Sequence, residues 1–179
     1  GVFGGTEEDF HRAMVLTNQQ LEKLQERIAE RLPESAALIF TAHLMILKDA
    51  QFTGRILALI RDGIPATQAV REVARHYIGL FGASTNAYLQ DKVKDIEDLA
   101  GRLLKNLTGQ SWDDQGLYER QVVIAPALYP SEVLKFAAEG AAGIVLISGG
   151  VSSHVSILAR SLSLPLVIAG YPGLLDVAQ

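Results

Sequence analysis

The stretch QVVIAPALYPSEVLKFAAEGAAGIVLISGGVSSHVSILARSLSLPLVIAG, residues 121–170, decides the fold. Three short apolar runs stand in it: QVVIA (121–125), GIVLIS (143–148) and LPLVIAG (164–170). Each is rich in β-branched residues and too short for a helix, which reads as a buried strand. Between them lie PSEVLKFAAEG (130–140), with Ser131 near its start and Gly140 just past its end, and SSHVSILARS (152–161). Both read as short helices. Strand, helix, strand, helix, strand within so few residues implies parallel pairing with right-handed crossovers. The stretch is therefore a small α/β unit.

Working upstream, residues 6–108 read as helix after helix. Thr6 and Asp9 form a capping-box pattern, with Glu7 and Glu8 in the first turn. Phe10, Met14, Leu21, Leu24 and Ile28 then recur at helical spacing until Pro33. A second helix carries Leu38, His43, Leu44 and Leu47; a third carries Phe52, Ile56, Leu59 and Ile60 and closes at Asp62-Gly63. A fourth runs through Val70, Val73 and Tyr77 to Gly82, and a fifth through Leu89, Val93, Ile96, Leu99 and Leu103 with Gly109 as its C-terminal cap. One-sided helices joined by short loops pack most economically as an antiparallel bundle. The expected organisation is a helical subdomain over 6–109, a polar connector over 110–120 into which Trp112 packs, and the α/β subdomain over 121–179. The charge-rich run DKVKDIED (91–98) reads as a solvated helix face.

Composition narrows the chemistry. The chain has 179 residues, a net charge of −4 and no cysteine. Acidity argues against a broad nucleic-acid surface and favours a basic protein partner. The absence of cysteine excludes disulfides, a thiol nucleophile and a thiolate metal site, and fits a reducing cytoplasm. No apolar run reaches the ~18 residues of a membrane span. No starting Met, no secretory signal and no closing element follow the pattern of a whole protein, so a fragment is expected. The four histidines lack HxxxH or HExxH spacing, so no metal site is expected.

His154 stands apart from the other three. Ser152 and Ser153 are good N-cap residues, which puts His154 in the first turn of its helix. Backbone N–H groups there lack intrahelical partners and suit an anion such as phosphate. The positive helix end disfavours imidazolium, and a neutral imidazole can accept a phosphoryl group and later release it. Gly149 and Gly150 let the backbone approach a ligand closely. These residues describe a phosphohistidine site; the alternative is a histidine that only caps or hydrogen-bonds. Neither a Walker pattern nor GxGxxG occurs.

The run GGVSSHVSILARSLSLPLVIAG closely resembles the phosphohistidine signature of enzyme I of the phosphoenolpyruvate:sugar phosphotransferase system. The signature falls on Gly149, Gly150, Ser152, Ser153, His154, Ser156, Ile157, Ala159, Arg160, Leu162, Leu164 and Pro165. LYPSEV (128–133), IFTAHLMILKDAQF (39–52) and VKDIEDLAGRLLKNLTG (93–109) are similar to further segments of that family. The resemblance implies a phosphoenolpyruvate-protein phosphotransferase. In it His154 takes phosphate from phosphoenolpyruvate and passes it to an HPr-type carrier in bacterial sugar transport. Ser152, Ser153, Gly149 and Gly150 cradle the phosphate, the helices dock the carrier through Glu34, His43 and Asp49, and the α/β subdomain swivels. It implies no cofactor in this stretch; Mg2+ belongs to a barrel domain, dimer-forming in the family, that this stretch lacks. The runner-up readings are the swivelling domain of a pyruvate phosphate dikinase or phosphoenolpyruvate synthase, where Ala replaces Ser156, and a non-catalytic docking module.

Two departures stand out. The family's Arg after Gly-Gly is Val151, and the Thr that can hold the active imidazole is Val133. Arg160 follows His154 by six positions, about 240° around the helix, so it is expected to bridge to the helical subdomain. His11 and His76 are assigned nothing.

Overall fold

The computed structural model describes residues 4–110, 118–150 and 154–177, with all side chains of these except Ser35, Ala37 and His154. Five helices come first: α1 (Glu7–Arg31), α2 (Glu34–Lys48), α3 (Ala50–Arg61), α4 (Ala66–Gly82) and α5 (Ala87–Leu107). A parallel three-stranded sheet and its helices follow: β1 (Val122–Ala125), α6 (Pro130–Ala138), β2 (Gly143–Leu146), α7 (His154–Ser161) and β3 (Leu166–Ile168). A 3-10 turn covers Pro172–Asp176. The expected helices and strands are all present.

Local chemistry sets the helix ends. Thr6 and Asp9 close a reciprocal capping box, each backbone N–H donating to the other's side chain at 3.1 Å. Asp49 caps α3, its Oδ1 accepting from the backbone N–H of Gln51 at 2.8 Å and of Phe52 at 2.9 Å. Asn86 caps α5 in the same way, accepting from Tyr88 N–H at 2.9 Å. Gly4 lies at φ +87° with Leu107 O only 2.5 Å from where a Cβ would stand, so no side chain fits there.

By contacts the chain divides into two compact units, Gly1–Glu26 with Leu38–Trp112, and Arg27–Ala37 with Asp113–Gln179. The end of α1 and the start of α2 thus belong with the sheet, which a linear boundary at 110–120 does not describe. The reason is polar. Arg27 pairs with the buried carboxylate of Glu139 at 3.1 Å, and Arg31 donates to Ala138 O at 2.6 Å, on the last residue of α6. A cation at a helix C-terminus meets both unpaired carbonyls and the negative end of the dipole.

In the first unit Phe10, Leu21, Phe40, Ile56, Val70, Leu99 and Leu103 are buried in the core. α2 buries Phe40, His43 and Leu47, whereas Leu38 is exposed. The run 91–98 is a solvated face only in part: Asp91 and Lys94 are exposed, whereas Asp95 and Asp98 are buried on the inner side of α5. In the second unit β1 pairs β2 and β2 pairs β3, placing Ile124, Val145 and Val167 side by side. The alternate residues Val123, Ile144, Leu146 and Ile168 pack with Val133 and Phe136 of α6 and Ala159 of α7. Both helices therefore cover one face of the sheet.

Candidate functional site

α7 starts at His154, beyond the C-terminal end of β2. In parallel sheets that edge is where ligands meet helix N-termini. Three bonds hold the chain as it leaves β2. Ile147 N–H donates to Ala125 O at 3.1 Å and Ser148 N–H to Pro126 O at 3.1 Å. The Ser148 hydroxyl donates to Pro126 O at 2.8 Å. Gly149 then takes φ +133°, a conformation that side chains resist. Gly150 has no heavy atom within 4 Å of a notional Cβ, so the backbone is open there. The buried Ser156 hydroxyl donates back to Gly150 O at 2.9 Å, tying the Gly-Gly turn to the third residue of α7. Reading Ser156 only as part of a signature missed this role. Ser152, Ser153 and the His154 side chain lie outside the described residues, as does most of the connector.

Val133 is buried in the core of the α/β unit, where it offers only packing. Two residues earlier the hydroxyl of Ser131 is buried with no hydrogen-bond partner. Arg160 is exposed and meets no carboxylate among the described residues. It lines a cleft of 330 Å³ with Ser156, Ser163 and Leu164, inside the α/β unit. The expected bridge to the helices has no contact among the described residues to support it.

The three docking residues differ in their surroundings. Glu34 opens α2 and is exposed, within the part of α2 that contacts group with the sheet. Asp49 is exposed but spends its carboxylate capping α3. His43 is 1% exposed, so it cannot touch a docked protein in this conformation; it fills a core position of α2. Its Nε2 lies 3.5 Å from Asp95 Oδ1 and 3.9 Å from Asp98 Oδ2. Burial alone would push the Asp95 carboxyl up, but its contact with His43 and the ammonium of Lys92 hold it below the ordinary aspartate value.

Instead the helices present an apolar groove of 410 Å³. Met45 and Ile46 of α2, Phe52 of α3, Tyr77 and Phe81 of α4, and Tyr88, Lys92 and Ile96 of α5 line it, with Asp49 at its edge. Met45 is 69% exposed and Tyr88 66%, large side chains that a closed core would have covered. The signal lay in α2, where Met45 falls off the buried Phe40–His43–Leu47 stripe. Among the described residues no group of His, Cys, Asp and Glu side chains is placed to hold a metal ion. No helix among them is long and apolar enough to cross a membrane.

Comparison with known proteins gives two family models in order along the chain. "PEP-utilising enzyme, N-terminal" matches residues 5–92, and "PEP-utilising enzyme, mobile domain" matches residues 117–175. The chain is similar to the phosphoenolpyruvate-protein phosphotransferases of Latilactobacillus sakei, at 37% identity over 161 residues and 88% of this chain, and of Enterococcus faecalis, at 35% over 159 residues and 87%. It spans only 28% of the length of each. The solution structure of an Enzyme I protein matches at a TM-score of 0.78 and 31% identity, covering 90% of this chain and 66% of that one. An N-terminal domain of the nitrogen Enzyme 1 shares the fold at a TM-score of 0.64 and 23% identity. With the helical and the mobile domain matched in succession, the chain belongs to the PEP-utilising enzymes.

Proposed function

We propose that this chain is the phosphohistidine-bearing and carrier-docking part of an enzyme I-type phosphotransferase, acting in the cytoplasm in sugar transport, and that His154 is the group phosphorylated. The observation that carries the reading is the start of α7 at His154 behind a glycine turn at φ +133° that Ser156 ties down. A helix start held this way presents the positive end of the helix dipole to a phosphoryl oxygen, so little reorganisation accompanies transfer.

The chemistry is a reversible substitution at phosphorus. A lone pair of the neutral imidazole forms the P–N bond as the P–O bond of phosphoenolpyruvate breaks, and enolpyruvate leaves and takes up a proton to become pyruvate. The second transfer moves the phosphoryl group to a histidine of an HPr-type carrier. Ser152, Ser153, Gly149 and Gly150 are assigned to cradle the phosphate. The groove bounded by Met45 and Tyr88 is assigned to the carrier, since an apolar patch with few charges at its rim suits a transient protein partner. Phosphoenolpyruvate binding and Mg2+ are assigned to the remainder of such a protein.

Incubation with a phosphorylated HPr-type carrier tests this. One acid-labile, base-stable phosphate is expected on the chain, and none on His154→Ala, whose circular dichroism should match the parent. Labelling that persists in His154→Ala would overturn the assignment. Efficient labelling by phosphoenolpyruvate and Mg2+ without a carrier would overturn the division of labour.

A further inference from the structure

The two glycines that lead toward α7, Gly149 and Gly150, are both exposed, and glycine has more backbone freedom to lose than any other residue. Two tethers hold them. Before the turn, the N–H and the hydroxyl of Ser148 both donate to Pro126 O, which fixes the chain just past the end of β1. After it, the hydroxyl of Ser156 donates to Gly150 O at 2.9 Å. Ser156 is 6% exposed and stands in the first turn of α7, two residues after His154. A serine that served only its own helix would stay in solvent or donate to the carbonyl three or four positions back. This one reaches back six positions, and the ring that its bond closes contains His154.

We propose that Ser156 is a positioning residue for phosphoryl transfer, whose hydroxyl holds the Gly150 carbonyl and so keeps the approach to His154 in one arrangement. The inference rests on the reading of His154 as the phosphorylated group. Two effects follow from the bond. It removes freedom from the glycine turn before the carrier arrives, so less is lost on reaching the transition state. It also turns the Gly150 carbonyl dipole toward α7, so that its negative end does not face an arriving phosphoryl group. Both effects act through the backbone of Gly150, which separates Ser156 from the residues assigned to cradle the phosphate.

Single-turnover transfer from a radiolabelled phosphorylated HPr-type carrier separates this role from a contribution to stability alone. Ser156→Ala should lower the maximal rate by about 10-fold, the worth of one hydrogen bond. The half-saturating carrier concentration should stay within about 2-fold of the parent. Ser156→Thr keeps the hydroxyl and should transfer within about 3-fold of the parent rate. Thr6→Ala is the control: it loses the cap of α1, a stability loss of the same order, and should leave the rate unchanged. Independently of transfer, backbone nitrogen relaxation should show the order parameters of Gly149 and Gly150 falling in Ser156→Ala and not in Thr6→Ala. A Ser156→Ala rate within about 2-fold of the parent, a threonine variant as slow as the alanine one, or an equal slowing in Thr6→Ala would overturn the proposal. Unchanged glycine order parameters in Ser156→Ala would do the same. A parent chain that takes no label would overturn the phosphohistidine reading itself, and this inference with it.

Discussion

Replacing His43 with alanine probes the strongest electrostatic feature of the helical unit. The substitution leaves two carboxylates of α5, Asp95 and Asp98, without the ring that faces them, and Asp98 has no hydrogen-bond donor of its own. Removing one partner of a buried pair costs about 3–5 kcal/mol, most of it the penalty of the charge left behind. The ring also stands edge-on to Phe40, with centroids 6.2 Å apart, so lost packing adds roughly 0.5–1.5 kcal/mol. Asp98→Asn should behave differently. It replaces a buried carboxylate that has no hydrogen bond by a neutral side chain of the same shape, and should change stability by no more than about 1 kcal/mol.

The pH dependence follows in sign. In the folded chain Asp95 titrates below its ordinary value of 3.8, with burial pushing it up and His43 and Lys92 pulling it down further. A depressed folded pKa contributes stability that is fully present above the unfolded value of about 3.9 and is lost as pH falls through the folded one. His43→Ala removes part of that depression. Its deficit against the parent should be complete near neutral pH and should narrow as pH falls below about 4. Urea unfolding followed by circular dichroism, at about pH 7 and about pH 3.5, measures both. A deficit under about 1 kcal/mol at neutral pH, or one unchanged in acid, would refute the reasoning.

Two further substitutions follow from the hydrogen bonding. Ser131→Ala removes a buried hydroxyl with no partner, so stability should hold or rise by up to about 1 kcal/mol in the same unfolding assay; a loss beyond that would mean the hydroxyl has a partner in solution. Asp49→Ala should cost about 1 kcal/mol through the lost α3 cap, whereas Asp49→Asn keeps the cap and removes only charge. Carrier association that slows in Asp49→Asn at unchanged melting temperature would assign the charge to docking, and unchanged rates would leave Asp49 a cap alone.

Much of the fold was legible because its signals are local. The Thr6–Asp9 box, the helix breaks at Pro33 and Asp62-Gly63, and the β-branched runs before Pro126 and Gly149 act over three or four residues. Where the reading went astray, the deciding contact was distant in sequence. The family resemblance put His43 at the docking surface, and DKVKDIED looked solvated because charge is the default sign of a wet face. Each misreading hid the other, since His43 and Asp95 are buried together across two helices.

The sequence by itself determined the order of elements, the parallel α/β unit and the glycine turn before His154, because backbone propensity, capping and strand patterning are properties of neighbours along the chain. Tertiary structure alone decided that Arg27 and Arg31 of the first helix serve the sheet-bearing unit, that Ser156 holds Gly150, and that Met45, Tyr88 and Lys92 share a groove. The physical reason is that burial and ion pairing depend on which surfaces meet, and residues 112 positions apart, such as Arg27 and Glu139, share no local signal.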